Sequence, residues 1–190
     1  MRPTYIDKLV MRHFVVFVPR YISPNSITAF RFVSVPFVAW LLAAEYFKIG
    51  FVLFAISAFS DVLDGAVARM RGEVTPLGKL FDPIADKLLI VFTSFILISE
   101  FLSMMLFFAI LIVESLIITS ALVGKYLYHL DIKANLFGKI KMALQSAGVL
   151  SLLIYAAFWK NGILLTLSFW FLVSGIILAV ISLLYNRNNI

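Results

Sequence analysis

Two short stretches, "SDVLDGAVARM" at residues 60–70 and "FDPIADKLL" at residues 81–89, decide how this chain is read. They set four carboxylates, Asp61, Asp64, Asp82 and Asp86, into segments otherwise built from apolar residues. An ionisable group within a membrane span costs roughly 3 kcal/mol on insertion scales, so acids kept there mark function. On a helix Asp61 and Asp64 lie about 60° apart around the axis, and Asp82 and Asp86 about 40° apart. Each pair shares one face.

The surroundings are those of a membrane protein. Of 190 residues 63% are hydrophobic and 14% charged, with a mean hydropathy of +1.04, a balance no water-soluble core of this length requires. About 20 apolar residues cross a bilayer. Six such stretches can be cut, at 26–47, 50–70, 80–100, 102–126, 137–159 and 162–185, which predicts an all-α membrane protein with six transmembrane helices. Ser23 as N-cap and Pro24 as first helical residue open the first span, and Gly72, Pro76 and Gly78 break the second from the third. Upstream, Ile6, Leu9, Val10, Phe14 and Phe17 recur at helical spacing opposite Asp7, Lys8 and Arg12. Residues 1–22 are therefore expected to form a juxtamembrane amphipathic helix in the headgroup layer, with no cleavable signal peptide. Without internal repeats, residues 1–190 read as a single transmembrane domain.

Lysine and arginine orient the spans. With the N-terminus cytoplasmic, that side collects Arg2, Lys8, Arg12, Arg20, Arg69, Arg71, Lys79, Lys125, Lys133, Lys139, Lys141 and Arg187, against Lys48 and Lys160 opposite. Both termini are thus expected in the cytoplasm. The net charge of +6 points to anionic lipid headgroups rather than nucleic acid. The absence of cysteine excludes disulfides, thiolate metal sites and thiol nucleophiles.

If the two acidic faces meet, four carboxylates repel one another unless protonated or bridged by cations. Hard oxygen ligands select Mg²⁺, Mn²⁺ or Ca²⁺. Two such ions about 3.5–4 Å apart clamp the attacking and leaving oxygens of a phosphoryl displacement. Spacing alone also accommodates a salt-bridge network with Arg69, Arg71, Lys79 and Lys87, or the ion path of a coupled transporter. Gly65, Ala68 and Gly78 leave backbone bare beside the acids, as helix packing also would, and Arg69 offers a fork suited to phosphate.

Asp61, Asp64, Gly65, Ala68, Arg69, Gly78, Asp82 and Asp86 match, without gap or substitution, the pattern D-x2-D-G-x2-A-R-x8-G-x3-D-x3-D. The chain thereby resembles the CDP-alcohol phosphotransferases. That resemblance implies a six-helix membrane fold, usually a homodimer, that passes a phosphatidyl or phosphoalcohol group from a CDP-linked donor to an alcohol and releases CMP. It implies two metal ions, Mg²⁺ or Mn²⁺, on Asp61, Asp64 and Asp82, with Asp86 contacting a metal, acting as base for the incoming hydroxyl, or both. It further implies that Asp61, Gly65, Ala68, Arg69 and Gly78 hold the cytidine diphosphate.

Three other segments resemble bacterial phosphatidylglycerophosphate synthases. In "SPNSITAFRFVSVPFVA" (23–39) a P-N-x-x-T-x-x-R pattern falls on Pro24, Asn25, Thr28 and Arg31; "VTPLGKLFDPIADKLL" (74–89) and "FGKIKMALQ" (137–145) are also similar, the latter carrying Gly138, Lys139 and Lys141. The resemblance implies CDP-diacylglycerol as donor and glycerol 3-phosphate as acceptor at the cytoplasmic face of the inner membrane. Asn25 and Thr28 would join the donor site, and Arg31, Lys139 and Lys141 the acceptor site. Two departures bear on the acceptor: Met142 stands where that group commonly has threonine, and Val113 where arginine commonly precedes Glu114. Cardiolipin synthases, whose acceptor is phosphatidylglycerol, are the alternative, followed by enzymes with inositol-phosphate acceptors. Lys139 and Lys141 sit about 160° apart on a helix, so both cannot point into one cleft, and snorkelling to headgroups is the other use for one of them. Glu114 reads as a buried, hydrogen-bonded carboxylate ahead of a direct ligand.

Overall fold

The computed structural model describes the backbone of residues 24–71, 76–127 and 136–188, with side chains described at most of these positions. The expected juxtamembrane helix, residues 1–22, lies outside the described residues. Among the described residues there are six α-helices and no strand: α1 (Pro24–Ala43), α2 (Phe47–Arg71), α3 (Pro76–Phe101), α4 (Met104–Leu127), α5 (Leu136–Ala157) and α6 (Gly162–Asn188). The helix breaks fall within a few residues of the apolar boundaries read from the sequence. α1 opens at Pro24 as expected, but ends at Ala43 rather than near 47.

That early stop has a local cause. Tyr46 N–H donates to the Leu41 carbonyl (2.9 Å) and Glu45 N–H to the Leu42 carbonyl (3.1 Å), the paired bonds of a Schellman cap. Glu45 supplies the left-handed residue the cap needs, with φ of 62°, where glycine is the usual occupant. Ser103 opens α4 by accepting the Met105 N–H on its hydroxyl (3.2 Å), and Asn161 opens α6 by accepting the Ile163 N–H on its side chain (3.0 Å).

The chain divides into two compact units, residues 1–93 and 94–190. In the first, α1 packs on α2. α1 buries Thr28, Arg31, Val35, Val38 and Leu42, a stripe at helical spacing, while Phe30, Val33, Phe37 and Trp40 face outward. This pattern is inverted relative to a soluble protein: Arg31 is 0% exposed and Trp40 is 62% exposed. Lipid is the solvent that makes such a surface stable. α1, α5 and α6 are each long and apolar enough to cross a bilayer, and α2 and α4 contain shorter apolar runs. The protein is a multi-pass membrane protein.

The second unit packs α6 against α5 and α4. Ser168, Leu172, Gly175, Ala179 and Ser182 form the buried seam of α6, against Gly148, Val149, Leu152, Leu153 and Ala156 of α5. Phe107 stacks edge-on against Phe95 (5.1 Å between centroids), and Tyr155 against Phe101 (5.4 Å). Small residues let the backbones close, since lipid offers no hydrophobic drive for helices to associate. A Cβ on Gly148 would stand 2.9 Å from Leu172 Cγ and 3.3 Å from the Leu172 backbone nitrogen, whereas one on Gly162 would meet nothing within 4 Å.

Gly148→Ala is therefore expected to lower stability by about 1–3 kcal/mol through overpacking. Gly162→Ala should leave it unchanged within about 0.5 kcal/mol. Thermal unfolding of the two purified variants in one detergent checks the contrast.

Candidate active site

The first unit contains a buried cation whose partners come from two other helices. Arg31 lies on the inner stripe of α1, so its guanidinium cannot reach water and must be answered within the protein. Its Nη1 donates to Asp86 Oδ1 of α3 at 2.7 Å, and its Nε approaches Ser60 Oγ of α2 at 3.4 Å. The side chain of Arg31 is 0% exposed and that of Asp86 is 37% exposed. The guanidinium thus stands behind the carboxylate, and the carboxylate faces out of the packing.

Hydroxyls complete this arrangement. Ser60 Oγ donates to the Ser57 carbonyl (2.7 Å), which leaves its oxygen lone pairs to accept from Arg31. Ser57 and Ser34 share a hydrogen bond of 2.6 Å between α2 and α1, and the Ser34 hydroxyl also reaches the Arg31 carbonyl (2.8 Å). Ser34, Ser57, Ser60 and Thr28 are all buried. Hydroxyls this deep in an apolar unit survive because each finds a nearby partner.

The clamp sits beside the acidic signature. Ser60 immediately precedes Asp61, and Asp86 follows Asp82 by one helical turn. The backbones of Asp61, Asp64, Gly65, Ala68 and Arg69 belong to α2, and those of Gly78 and Asp82 to α3. The side chains at these positions, and that of Asn25 at the start of α1, lie outside the described residues. Among the described residues no group of three metal-ligating side chains occurs. In donor chemistry the four aspartates fit hard divalent cations, being all oxygen with no thiol or imidazole, and the one of the four whose side chain is described, Asp86, is accessible.

A second polar cluster occupies the other unit. Glu114 Oε1 of α4 accepts from Lys141 Nζ at 2.6 Å and from Gln145 Nε2 at 3.1 Å, both on α5. Lys141 and Gln145 are one turn apart, and α6 closes over them at Gly175, where a Cβ would come within 2.9 Å of Gln145 Cγ. The side chain of Lys141 is only 6% exposed, whereas Lys139 is exposed. The two lysines thus part as the helical angle between them requires, and Glu114 takes the inner one. As placed, Arg31 offers no surface to an incoming phosphate. Sequence reasoning singled out neither the serines nor Gln145. The available signals were Ser57 and Ser60 three apart, and Lys141 and Gln145 four apart, each pair a polar stripe on an apolar helix.

The family model described as CDP-alcohol phosphatidyltransferase matches residues 21–183. A protein of Wigglesworthia glossinidia brevipalpis named CDP-diacylglycerol–glycerol-3-phosphate 3-phosphatidyltransferase is 29% identical over 172 residues, covering 85% of this chain and 90% of that protein. Proteins of the same name are 40% identical over 70 residues in Rickettsia typhi, covering 35% of this chain and 39% of that protein. In Aquifex aeolicus the identity is 35% over 94 residues, covering 46% of this chain and 51% of that protein.

Removing Glu114 leaves the Lys141 ammonium inside the bundle without its counter-ion, a change expected to cost about 3 kcal/mol. Glu114→Ala should thus lower the melting temperature markedly, and Glu114→Ala with Lys141→Met should recover most of the loss. A double-mutant cycle in detergent measures the coupling, and simple additivity of the two changes would contradict the ion pair.

Proposed function

The chain belongs to the CDP-alcohol phosphatidyltransferase family, and from that membership we propose that it makes phosphatidylglycerophosphate, transferring a phosphatidyl group from CDP-diacylglycerol to glycerol 3-phosphate with release of CMP. The observation that carries this reading is the unbroken eight-residue signature on α2 and α3. The name shared by the three similar bacterial proteins supports it.

In the proposed reaction the glycerol hydroxyl attacks the phosphorus that bears the diacylglycerol. A new P–O ester bond forms, the diphosphate P–O bond breaks, and CMP departs with the electron pair. Asp86 accepts the hydroxyl proton, a role suited to a carboxylate that faces out of the packing and is held from behind. Asp61, Asp64, Asp82 and Asp86 would hold two Mg²⁺ or Mn²⁺ ions, whose contribution when bound is to neutralise charge on the diphosphate. Asn25, Thr28, Asp61, Gly65, Ala68, Arg69 and Gly78 are assigned to the cytidine diphosphate, small residues admitting it and Arg69 pairing with phosphate. Lys139 and Lys141 are assigned to the acceptor's phosphate, Lys139 through its exposed ammonium and Lys141 by exchange from Glu114. No covalent enzyme intermediate is required.

The same reading gives the chain one catalytic domain with six membrane-crossing helices, an interfacial helix at residues 1–22 and both termini in the cytoplasm. It acts as a homodimer in the bacterial inner membrane. Lipid tails enter sideways between helices while the nucleotide stays in water, so the bond to be broken would lie at the membrane edge.

Asp61→Asn and Asp82→Asn should each reduce CMP release from CDP-diacylglycerol by at least about 10³-fold while leaving a folded protein, and chelation of divalent cations should do the same to the unmodified enzyme. Near-normal turnover in either variant would remove the metal-ligand assignment. Labelled CDP-diacylglycerol offered with glycerol 3-phosphate, phosphatidylglycerol or inositol phosphate should give product with the first. Product from phosphatidylglycerol alone would make the protein a cardiolipin synthase.

A further inference from the structure

We infer that Arg31, backed by Ser60, is a positioning residue for Asp86: it fixes the carboxylate that takes the acceptor's proton and does not itself touch substrate. This rests on the assignment of Asp86 as base.

The division of labour follows from exposure and direction. Arg31 is 0% exposed on its side chain and Asp86 is 37% exposed, although the two are 2.7 Å apart. A substrate hydroxyl arriving at this pair meets the carboxylate first and finds the cation behind it. The guanidinium is planar, so the N–H that meets Asp86 Oδ1 and the N–H directed at Ser60 Oγ have a fixed mutual angle. Asp86 is on α3 and Ser60 is on α2, while Arg31 itself stands on α1. The carboxylate is thereby referenced to two helices besides its own. Ser60 can serve as the second anchor because its own proton is committed to the Ser57 carbonyl at 2.7 Å, which turns its oxygen towards Arg31. The Ser34–Ser57 bond of 2.6 Å locks α1 to α2 one turn deeper and prevents the anchor from rotating away.

A lysine cannot substitute for this fork. Its ammonium is a point charge on a flexible stem, able to pair with Asp86 but unable to hold Ser60 at the same fixed angle. Loss of the fork therefore affects the placement of the base while sparing the affinity for either substrate. A direct phosphate contact would do the opposite, weakening acceptor binding.

The test is steady-state kinetics of CMP release by the full chain in mixed micelles, with CDP-diacylglycerol and glycerol 3-phosphate varied in turn, for Arg31→Lys, Arg31→Gln and Ser60→Ala. Arg31→Lys should lose about 10- to 100-fold in kcat, as expected when a partner behind a functional group is removed. Both KM values should stay within about twofold. Arg31→Gln should lose at least as much. Ser60→Ala keeps the buried charge and its partner, and should lose about 3- to 10-fold in kcat with unchanged KM. If the Arg31 variants do not fold, as judged by size-exclusion profile and melting, Ser60→Ala decides alone. A raised KM for glycerol 3-phosphate at undiminished kcat in Arg31→Lys would make Arg31 a substrate contact and overturn the inference, as would unaltered kcat in Ser60→Ala. An unmodified protein that releases no CMP would instead defeat the functional reading on which the inference stands.

Discussion

A guanidinium sealed inside an apolar helix pair must be answered by a carboxylate, and the first unit is organised around that requirement. Leaving Arg31 unanswered would cost far more than any single packing contact contributes. Its position on the inner stripe of α1 therefore commits α3 to bring Asp86 alongside, and commits α2 to present Ser60 rather than a larger apolar residue. The serine contacts between α1 and α2 follow from the same constraint, since they hold the register in which Arg31 reaches both partners. A binding energy that would otherwise be spent on stability is here used to fix one carboxylate at the edge of the packing.

The rest of the molecule obeys the solvent it lives in. Aromatic and aliphatic side chains such as Trp40, Met105 and Trp170 face outward, while Arg31, Lys141, Ser34, Ser57 and Ser60 are kept inside. Without a hydrophobic drive between helices, close approach comes from glycine against a neighbouring side chain: Gly50 against Leu42 in the first unit, and Gly148 against Leu172 in the second. The Glu114–Lys141–Gln145 cluster repeats in the second unit the device seen at Arg31, a buried cation held by a carboxylate from another helix. In each unit the polar group that looks most costly is the one that specifies which helices must meet.

Much of this was legible from residues alone, and the reasons are physical. Apolar runs of bilayer length located the helices, because lipid tolerates little else, and Pro24 marked the start of α1. The end of α1 was misplaced by several residues because Glu45 adopts the left-handed cap position that sequence rules reserve for glycine. The spacing of the aspartates pointed to the family that matches residues 21–183, since ionisable residues in apolar segments have few other uses. The pairing of Arg31 with Asp86 was not legible: 55 residues separate them, and no local pattern on α1 announces which acid it answers. Arg31 therefore read as a cation awaiting an acceptor phosphate. Lys141 posed the same problem in milder form. Helical geometry required the two lysines of α5 to diverge, but only the position of Glu114 on α4 decides which one turns inward.

The most direct test of the account is where divalent ions bind. Crystals grown with Mn²⁺ and a CDP-linked lipid, measured at a wavelength where manganese scatters anomalously, should show two peaks about 3.5–4 Å apart, bounded by carboxylates of α2 and α3 and with Asp86 within reach. Manganese absent from that region, or bound away from Asp86, would contradict it.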